Sequence, residues 1–399
     1  MSHRYLATVL SWVGLATACS SGGVQTGAQP QAQTQAFIEL LGTDTISIES
    51  FTRTAAGFKG QLVTRSPVTR VAEYEASLAS DGTIRQLDVQ WRTPPENPDG
   101  PPPLEFTVTL DGDSATVVRS GGRNPGTTRL AAPGGTIPTV GKSPIAFAVF
   151  EQAVREAIAS GSDDFPINLL NGRNGRTSPN AIVRFAPDSV SFDYFGNPFV
   201  ARVDASGAVL GRSGARTTVK VEGMRIAPPD IDGLAAEFAA RDARGEGLGV
   251  ASPQATVTAA VAGANVTIVY SRPAKRGREI WGVGGLVPRN EVWRTGANSA
   301  TAFEVDRDVM IGGVLIPAGA YTLWSTYTAS SAQLIINSQT GQWGTSYDAD
   351  QDLVRIDMEA TTLSDTVERF TISIEQTADG GVLQLSWDAM QFYVPIVAN

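Results

Sequence analysis

The densest group of cationic side chains in the chain lies between residues 272 and 298. It combines guanidinium, ammonium and amide groups: Arg272, Lys275, Arg276, Arg278, Arg294 and Asn298. A guanidinium group is planar and binds a carboxylate or phosphate through two parallel hydrogen bonds. These residue types predict a site for an anionic ligand, with every member except Arg276 as a ligand contact. The alternative is a solvated loop whose cations pair with nearby acids such as Asp306 and Asp308.

Three aspartates at alternate positions, Asp348, Asp350 and Asp352, resemble the start of a calcium-binding loop. Glu359 occupies the twelfth position, but the sixth is Leu353, where the sharp turn of an EF-hand requires glycine. The residues that follow alternate between apolar and polar types, which predicts a strand rather than the second helix of an EF-hand. The sequence therefore excludes an EF-hand and leaves a loose calcium site formed by the three aspartates as the expectation.

Nucleophilic catalysis that depends on histidine is excluded by composition. The chain has one histidine, His3, and one cysteine, Cys19, so a chain cleaved after residue 18 would contain no histidine at all. Serine–histidine and cysteine–histidine catalysis, histidine-ligated metals and intrachain disulfides are thereby ruled out. Hydrolysis of a glycosidic bond by two carboxylates remains open, because 40 acidic residues are present. Four tryptophans could stack on a sugar or, alternatively, belong to the core: Trp281, Trp293, Trp324 and Trp343.

The N-terminus has the pattern of a secretory signal peptide over residues 1–18. Arg4 precedes the apolar stretch Tyr5–Leu15, and Ala16-Thr17-Ala18 forms a small-residue cleavage site. Eleven apolar positions are too few for a membrane-spanning helix, which needs about 20. The next residue, Cys19, makes this run resemble a bacterial lipobox, which implies a lipid on Cys19 and a membrane as partner. Cleavage at the same bond without lipidation, giving a soluble exported protein, is the alternative.

Residues 19–35 predict a flexible tether, because they are rich in Gly, Ser and Gln and have no apolar period. Ser20 after the cysteine is similar to Gram-negative lipoproteins sorted to the outer membrane, so the predicted location is the outer membrane or the periplasm. The formal net charge of −9 repels phosphate backbones, which argues against nucleic-acid binding. No motif implies a cofactor.

Alternating apolar and polar residues dominate residues 36–225, as in Val71–Leu78 and Ile84–Trp91. This pattern predicts an antiparallel sheet with one solvated face. Residues 144–160 instead have helical spacing, and Ser143 and Pro144 suit the start of a helix. The first domain is therefore predicted to be an antiparallel sheet with one covering helix.

A helical linker is predicted over residues 226–252, because an Ala-rich amphipathic run lies between a Pro-Pro pair and a Gly-rich segment. Residues 253–399 then contain nine short strand-like runs, separated by glycine turns. Such spacing predicts a β-sandwich or jelly-roll-like domain. The predicted fold class is thus mainly β, with two domains joined by the linker.

An ordered series of short motifs occupies this C-terminal region. It consists of Tyr270–Pro273, Lys275–Arg278, Val287-Pro288, Val292–Asn298, Ile311–Gly313, Pro317–Gly319, Tyr321–Leu323 and Trp343-Gly344. The series resembles the bacterial family catalogued as domain of unknown function 2911, over roughly residues 253–399. The family often has an acidic residue after the asparagine, whereas this chain has Ser299. The resemblance implies no established activity and does not extend to the first 250 residues.

Together these features predict an exported, lipid-anchored envelope protein without catalytic activity, whose second domain binds a ligand or a protein partner. A histidine-independent carbohydrate hydrolase is the alternative from a different class. A purely structural spacer is the third possibility. Arg294 and Asn298 buried and hydrogen-bonded within their own domain would favour the spacer.

Overall fold

The computed structural model describes residues 33–96, 102–122, 124–141, 145–194, 197–261, 263–328 and 331–398. The predicted signal peptide, Cys19, most of the tether, and Ser143 and Pro144 lie outside these residues. The chain is mainly β, as predicted, with a large sheet in its N-terminal part and a second sheet in its C-terminal part. No helix within the described ranges is long and apolar enough to cross a membrane.

Fifteen strands of the described chain form the first sheet. They are β1 (Gln33–Leu41), β2 (Asp44–Thr54), β3 (Gly57–Thr64), β4 (Arg70–Leu78), β5 (Ile84–Arg92), β6 (Leu104–Asp111), β7 (Ser114–Ser120), β8 (Gly126–Ala131), β9 (Thr136–Thr139), β10 (Asp164–Asn171), β11 (Arg176–Ala186), β12 (Ser189–Tyr194), β13 (Asn197–Val203), β14 (Val209–Ser213) and β15 (Val221–Ile226). The spatial order is β8 to β1, then β15 down to β9, so β1 pairs with β15 at the centre. Neighbouring strands are antiparallel except β9 and β10.

One helix, α1 (Phe147–Ser160), packs its apolar residues against one face of this sheet. It begins at Phe147, three residues later than the sequence pattern indicated. Ala146 occupies the N-cap position without a capping side chain. The carboxylate of Glu49 on β2 instead accepts hydrogen bonds from the backbone N–H groups of Phe147 (2.6 Å) and Ala148 (2.9 Å). A strand about 100 residues away therefore caps the helix, and no local sequence signal could have revealed this.

The second helix, α2 (Ile231–Ala243), follows the first sheet and starts at the N-cap Asp230. Its buried residues Ile231 and Phe238 pack with Ile48 on β2. Ile48 is adjacent in sequence to Glu49, which contacts α1. Successive residues of a strand point to opposite faces, so α2 covers the face of the sheet opposite to α1.

Nine strands form the second sheet in the part of the chain that the structure describes. They are β16 (Gln254–Val261), β17 (Ala264–Ser271), β18 (Thr301–Val305), β19 (Val309–Ile311), β20 (Val314–Ile316), β21 (Gly319–Tyr327), β22 (Ala332–Asn337), β23 (Asp352–Thr377) and β24 (Gly380–Ala398). The order is β16-β17-β18-β21-β22-β23-β24-β19-β20. The count matches the prediction, but the strands differ: β16 was not predicted, the predicted run Val309–Ile316 is the two strands β19 and β20, and four predicted short strands are the two long strands β23 and β24.

The long strand β23 gives the second sheet its sandwich-like shape. Its first part, Asp352–Met358, pairs with β22, while the remainder pairs with β24. The strand thus passes from one half of the sheet to the other, as strands do at the corners of sandwiches. The two halves enclose one core, in which Ile268 on β17 and Phe303 on β18 join Phe370 on β23 and Trp387 on β24.

A candidate anion-binding cavity between the two sheets

Side-chain contacts hold the segment after β17 against other strands of the second sheet. Arg272 donates from Nε to the carbonyl oxygen of Phe370 (3.2 Å) and from Nη2 to Oγ1 of Thr371 (2.8 Å). The ammonium of Lys275 forms an ion pair with Asp388 on β24. Two of the predicted ligand contacts are therefore engaged by protein groups and hold the loop onto the β23–β24 hairpin. These partners are acids and carbonyls from distant strands, not the nearby acids considered from the sequence.

Arg276 joins the two sheets. Its backbone carbonyl accepts a hydrogen bond from the N–H of Thr43 (2.9 Å), which lies in the turn between β1 and β2. Its buried guanidinium pairs with Asp44 and donates to the carbonyl oxygen of Leu248 (3.3 Å). Gly42 in the same turn has φ 65°, and a Cβ there would overlap the carbonyl oxygen of Arg276. The β1–β2 turn thus docks on the Lys275–Arg278 segment.

Arg278 supports the same junction. It donates to the backbone carbonyls of Lys275 (3.0 Å), Val219 (3.2 Å) and Ala274. Val219 belongs to the first sheet's last loop, so this side chain also bridges the two sheets. Burial, helped by the nearby guanidinium of Arg276, lowers the pKa of Arg278 to about 10. The guanidinium stays charged near neutral pH, but each of its three nitrogens already donates to a backbone carbonyl.

A cavity of about 590 Å³ lies beside this junction. We call it the intersheet cavity, because both sheets contribute to its walls. The first sheet supplies Leu41, Ile46 and Val219, and the second part of the chain supplies Leu286, Val292, Trp293, Arg294, Asn298, Trp324, Tyr347 and Trp387 among others. Apolar walls with a few polar groups are typical of small-molecule sites.

Arg294 is the exceptional side chain in this wall. No described residue forms an ion pair with it or accepts a hydrogen bond from it, and its Nε is fully buried without a partner. Burial alone lowers its pKa, since no acid offsets the loss of hydration. The side chain as a whole is half-buried, and the Nε that is withdrawn from water without a partner carries a desolvation cost. The guanidinium therefore has its hydrogen-bonding capacity available for a group that enters the cavity.

The loop that holds Arg294 is fixed on both sides. Trp293 exchanges two backbone hydrogen bonds with Ser325 on β21, of 2.8 and 2.9 Å. Thr295 is fully buried at φ 51°, and its hydroxyl lies 2.8 Å from that of Ser325. Gly344 packs directly on the arginine, because a Cβ at residue 344 would overlap Cδ of Arg294. The glycine of the Trp343-Gly344 motif thus leaves space for the side chain of Arg294.

Asn298 lies at the same wall of the intersheet cavity. It has φ 61°, and its carbonyl oxygen accepts a hydrogen bond from the N–H of Gly344 (2.9 Å). Its side-chain amide donates to Oγ of Ser271 at 3.3 Å and to the carbonyl of Ser252 at 3.4 Å. Arg278, Arg294 and Asn298 are therefore brought to one cavity, whereas Arg272 and Lys275 are not among its lining residues.

The three aspartates do not form the expected calcium site. Asp348 caps the short 3₁₀ helix Ala349–Gln351 by accepting from the N–H of Asp350 (3.1 Å). Asp352 accepts from Tyr347 (2.6 Å), from Asn337 and from Arg355. Within the described ranges, no three His, Cys, Asp or Glu side chains are arranged to hold a metal ion. The carboxylates serve as a cap and an ion-pair acceptor, which explains their alternate spacing.

Most of the tryptophans belong to the core of the second sheet. Trp293 and Trp324 are buried, and Trp281 lies against Trp293, with ring centroids 6.4 Å apart. Trp343 is 48% exposed. The buried rings agree with the alternative in which these tryptophans form the core rather than a sugar platform.

A pair of catalytic carboxylates is not found in the intersheet cavity. Glu291 is the one acid among its described lining residues. An open groove on the outer face of the first sheet has four acids: Glu73, Glu75, Asp88 and Glu105. Three of them are engaged by amides, hydroxyls or an arginine of neighbouring strands. The intersheet cavity therefore lacks the carboxylate pair that glycoside hydrolysis uses, whereas in the groove Glu75 lies directly across from Asp88, which Gln86 and Thr107 engage.

Comparison with known proteins identifies the C-terminal part of the chain. Residues 252–396 match the family of proteins of unknown function called DUF2911. This confirms the resemblance found in the sequence. The DUF2911 segment covers a little over a third of the chain and includes Arg294, Asn298 and Gly344. The cavity-lining residues that the first sheet supplies lie outside the DUF2911 segment.

Two further searches add little to this assignment. No curated protein matches the chain. Among solved structures, a DUF1089 family protein from Pseudomonas aeruginosa is similar at 14% identity and a TM-score of 0.32, covering 48% of this chain and 97% of its own. A score of this size does not indicate a shared fold.

Proposed function

We propose that this protein is a non-catalytic binding protein of the cell envelope, and that its intersheet cavity takes an anionic ligand. The proposal depends on the guanidinium of Arg294, which lines the cavity without an ion-pair or hydrogen-bond partner among the described residues. A buried polar atom without a partner costs free energy and calls for an explanation. A carboxylate or phosphate in the cavity would supply the missing partner.

The cationic neighbours strengthen the proposal by contrast. Arg272, Lys275, Arg276 and Arg278 all have protein partners that explain them as structural groups. Arg294 has none, so the structural-spacer interpretation leaves it unexplained. The hydrolase alternative is not favoured, since the cavity presents Glu291 and no second carboxylate.

The proposed location rests on the sequence. A signal peptide over residues 1–18 and Cys19 as the lipidated N-terminus would place the folded sheets outside the cytoplasm, on a tether that ends near residue 35. The intact mass of the protein purified from its native membrane tests this. A diacyl or triacyl adduct on a chain beginning at Cys19 is expected. An unmodified chain beginning at Cys19 would contradict the anchor and make the protein a soluble exported one.

Anion binding is tested by calorimetric titration of the full chain carrying Cys19→Ser with acetate, methyl phosphate and methylammonium. We expect weak one-site binding of the two anions and none of the cation. Arg294→Gln should abolish anion binding, and Gly344→Ala should weaken it, because the new Cβ displaces the arginine. Arg307→Gln is the matched control, since Arg307 is exposed and does not line the cavity. Equal anion binding by Arg294→Gln would refute the proposed site.

A further inference from the structure

We infer that the intersheet cavity takes an amphiphile with a single carboxylate or phosphate headgroup and an apolar body, an inference that rests on the proposed anion-binding function. Arg294 and Asn298 both line the cavity and lie side by side against Gly344. Both residues belong to the loop between β17 and β18. The headgroup would therefore be held by the second sheet.

The first sheet supplies mainly apolar side chains to the cavity, together with Ser66 and Thr218. Leu41, Ile46 and Val219 line it, and each is half-buried although it packs against the core of the first sheet. The second part of the chain adds further half-buried apolar side chains: Leu286, Val292 and Tyr347. Six incompletely covered apolar groups in one cavity leave surface that an apolar ligand body would remove from water. A small hydrophilic anion would leave that surface uncovered.

The charged residues of the lining fit a ligand with one anionic group. Arg278 and Arg294 are the two cations among the described lining residues, and Glu291 is the acid. Arg278 is already committed to three carbonyls. One free guanidinium suits one carboxylate or phosphate group, because its planar N–H donors can form two parallel hydrogen bonds with either.

The length of the ligand's alkyl chain is the variable that tests this inference. Butanoate, hexanoate and octanoate, together with octyl phosphate, octyltrimethylammonium and 1-octanol, are titrated into the full chain carrying Cys19→Ser in detergent-free buffer. Full burial of a methylene group strengthens binding about fourfold. We expect octanoate to bind at least tenfold more tightly than butanoate, octyl phosphate to bind as well, and the alcohol and the ammonium compound to bind far more weakly.

Two variants separate the headgroup from the apolar body. Arg294→Gln should remove the preference for octanoate over 1-octanol. Ile46→Asn, on the first sheet, should weaken octanoate binding more than butanoate binding. Arg307→Gln should behave as the unmodified chain does, and thermal denaturation checks that each variant is folded.

The outcomes distinguish the two proposals. If butanoate and octanoate bind equally and both depend on Arg294, the ligand is a hydrophilic anion: the amphiphile inference falls and the proposed function stands. If 1-octanol and octanoate bind equally and Arg294→Gln changes neither, the cavity is an apolar site and both proposals fall. If octanoate alone or octyl phosphate alone binds in an Arg294-dependent way, the inference stands and the headgroup is assigned.

Discussion

At the scale of single residues, the arginines of one cavity divide into two kinds. Arg278 satisfies three backbone carbonyls, while Arg294 satisfies nothing among the described residues. The two side chains have the same chemistry and face the same space. Their neighbours decide that one contributes to stability and the other carries a desolvation cost.

This difference predicts opposite effects of one substitution on stability. Arg294→Met removes an uncompensated cation and should raise the free energy of unfolding by about 1 kcal/mol. Arg278→Met leaves the carbonyls of Val219 and Ala274 without donors, while the carbonyl of Lys275 keeps the backbone N–H of residue 278; it should lower the free energy of unfolding by about 2 kcal/mol or more. Urea denaturation of both variants measures the two values. A loss of stability in Arg294→Met equal to that in Arg278→Met would mean that Arg294 is a structural residue after all.

At the scale of elements, α1 depends on a strand for its N-terminus. Glu49 accepts the N–H groups of Phe147 and Ala148 and also the hydroxyl of Tyr74 at 2.7 Å. Burial and the adjacent carboxylate raise the pKa of the Tyr74 hydroxyl, so that group remains a donor to Glu49. One buried carboxylate thus links β2, β4 and the helix.

Removal of this carboxylate should therefore destabilise the first sheet strongly. Glu49→Ala leaves two N–H groups and a phenol without an acceptor, and we expect a loss of about 2–4 kcal/mol in the free energy of unfolding. Glu49→Gln is the matched variant, because it keeps one acceptor oxygen and should lose less of the free energy of unfolding. Chemical denaturation followed by far-UV circular dichroism gives both values. Equal stability of the alanine and glutamine variants would contradict the capping role.

The same helix carries a carboxyl group whose ionisation should oppose folding. Burial raises the pKa of Glu156 from 4.5 to about 7, although Gln152 donates a hydrogen bond to it. The folded state therefore binds this proton more tightly than the unfolded state does. Its stabilising contribution is complete below about pH 4.5 and is lost as the pH rises towards 7.

Glu156→Gln should remove this pH dependence. The variant should match the unmodified chain near pH 4.5 and exceed its free energy of unfolding at pH 8 by an amount on the order of 2 kcal/mol. Denaturation curves between pH 4.5 and 8 measure the difference. Parallel pH profiles for the two proteins would show that Glu156 ionises in the folded state as it does in the unfolded chain.

At the scale of the whole molecule, the two sheets meet at a junction formed around Arg276 and Arg278. The turn at Gly42 and Thr43 fits the carbonyl of Arg276, and Asp44 pairs with the guanidinium of that residue. The intersheet cavity adjoins this contact and takes walls from both sides. The shape of the cavity therefore depends on how the sheets are docked.

Gly42→Ala should open this junction, because the added Cβ overlaps the carbonyl oxygen of Arg276 and the residue has φ 65°. We expect a larger radius of gyration by small-angle X-ray scattering and weaker anion binding. Gly82→Ala is the matched control, since Gly82 has φ 87° but open space around its Cβ position. An unchanged radius of gyration and unchanged anion affinity in Gly42→Ala would refute the role of this turn.

The sequence alone determined the features that repeat over short distances. Alternation along the strands predicted the mainly β fold, helical spacing predicted α1 to within three residues and a helical linker that contains α2, and the motif series identified the DUF2911 segment. It also led to the prediction that Arg278, Arg294 and Asn298 contact an anion. The fold and family inferences succeeded because period and motif order are local properties of the chain, while the anion contacts stay a prediction.

Only the tertiary structure decided which of those cations has a partner. Lys275 pairs with Asp388 and Arg276 with Asp44, across 113 and 232 positions of the sequence. The cap of α1 by Glu49 and the walls of the intersheet cavity are equally distant in the chain. Hydrogen bonds and ion pairs act over a few ångströms in space, and strand pairing brings together residues whose separation in sequence carries no signal of their contact.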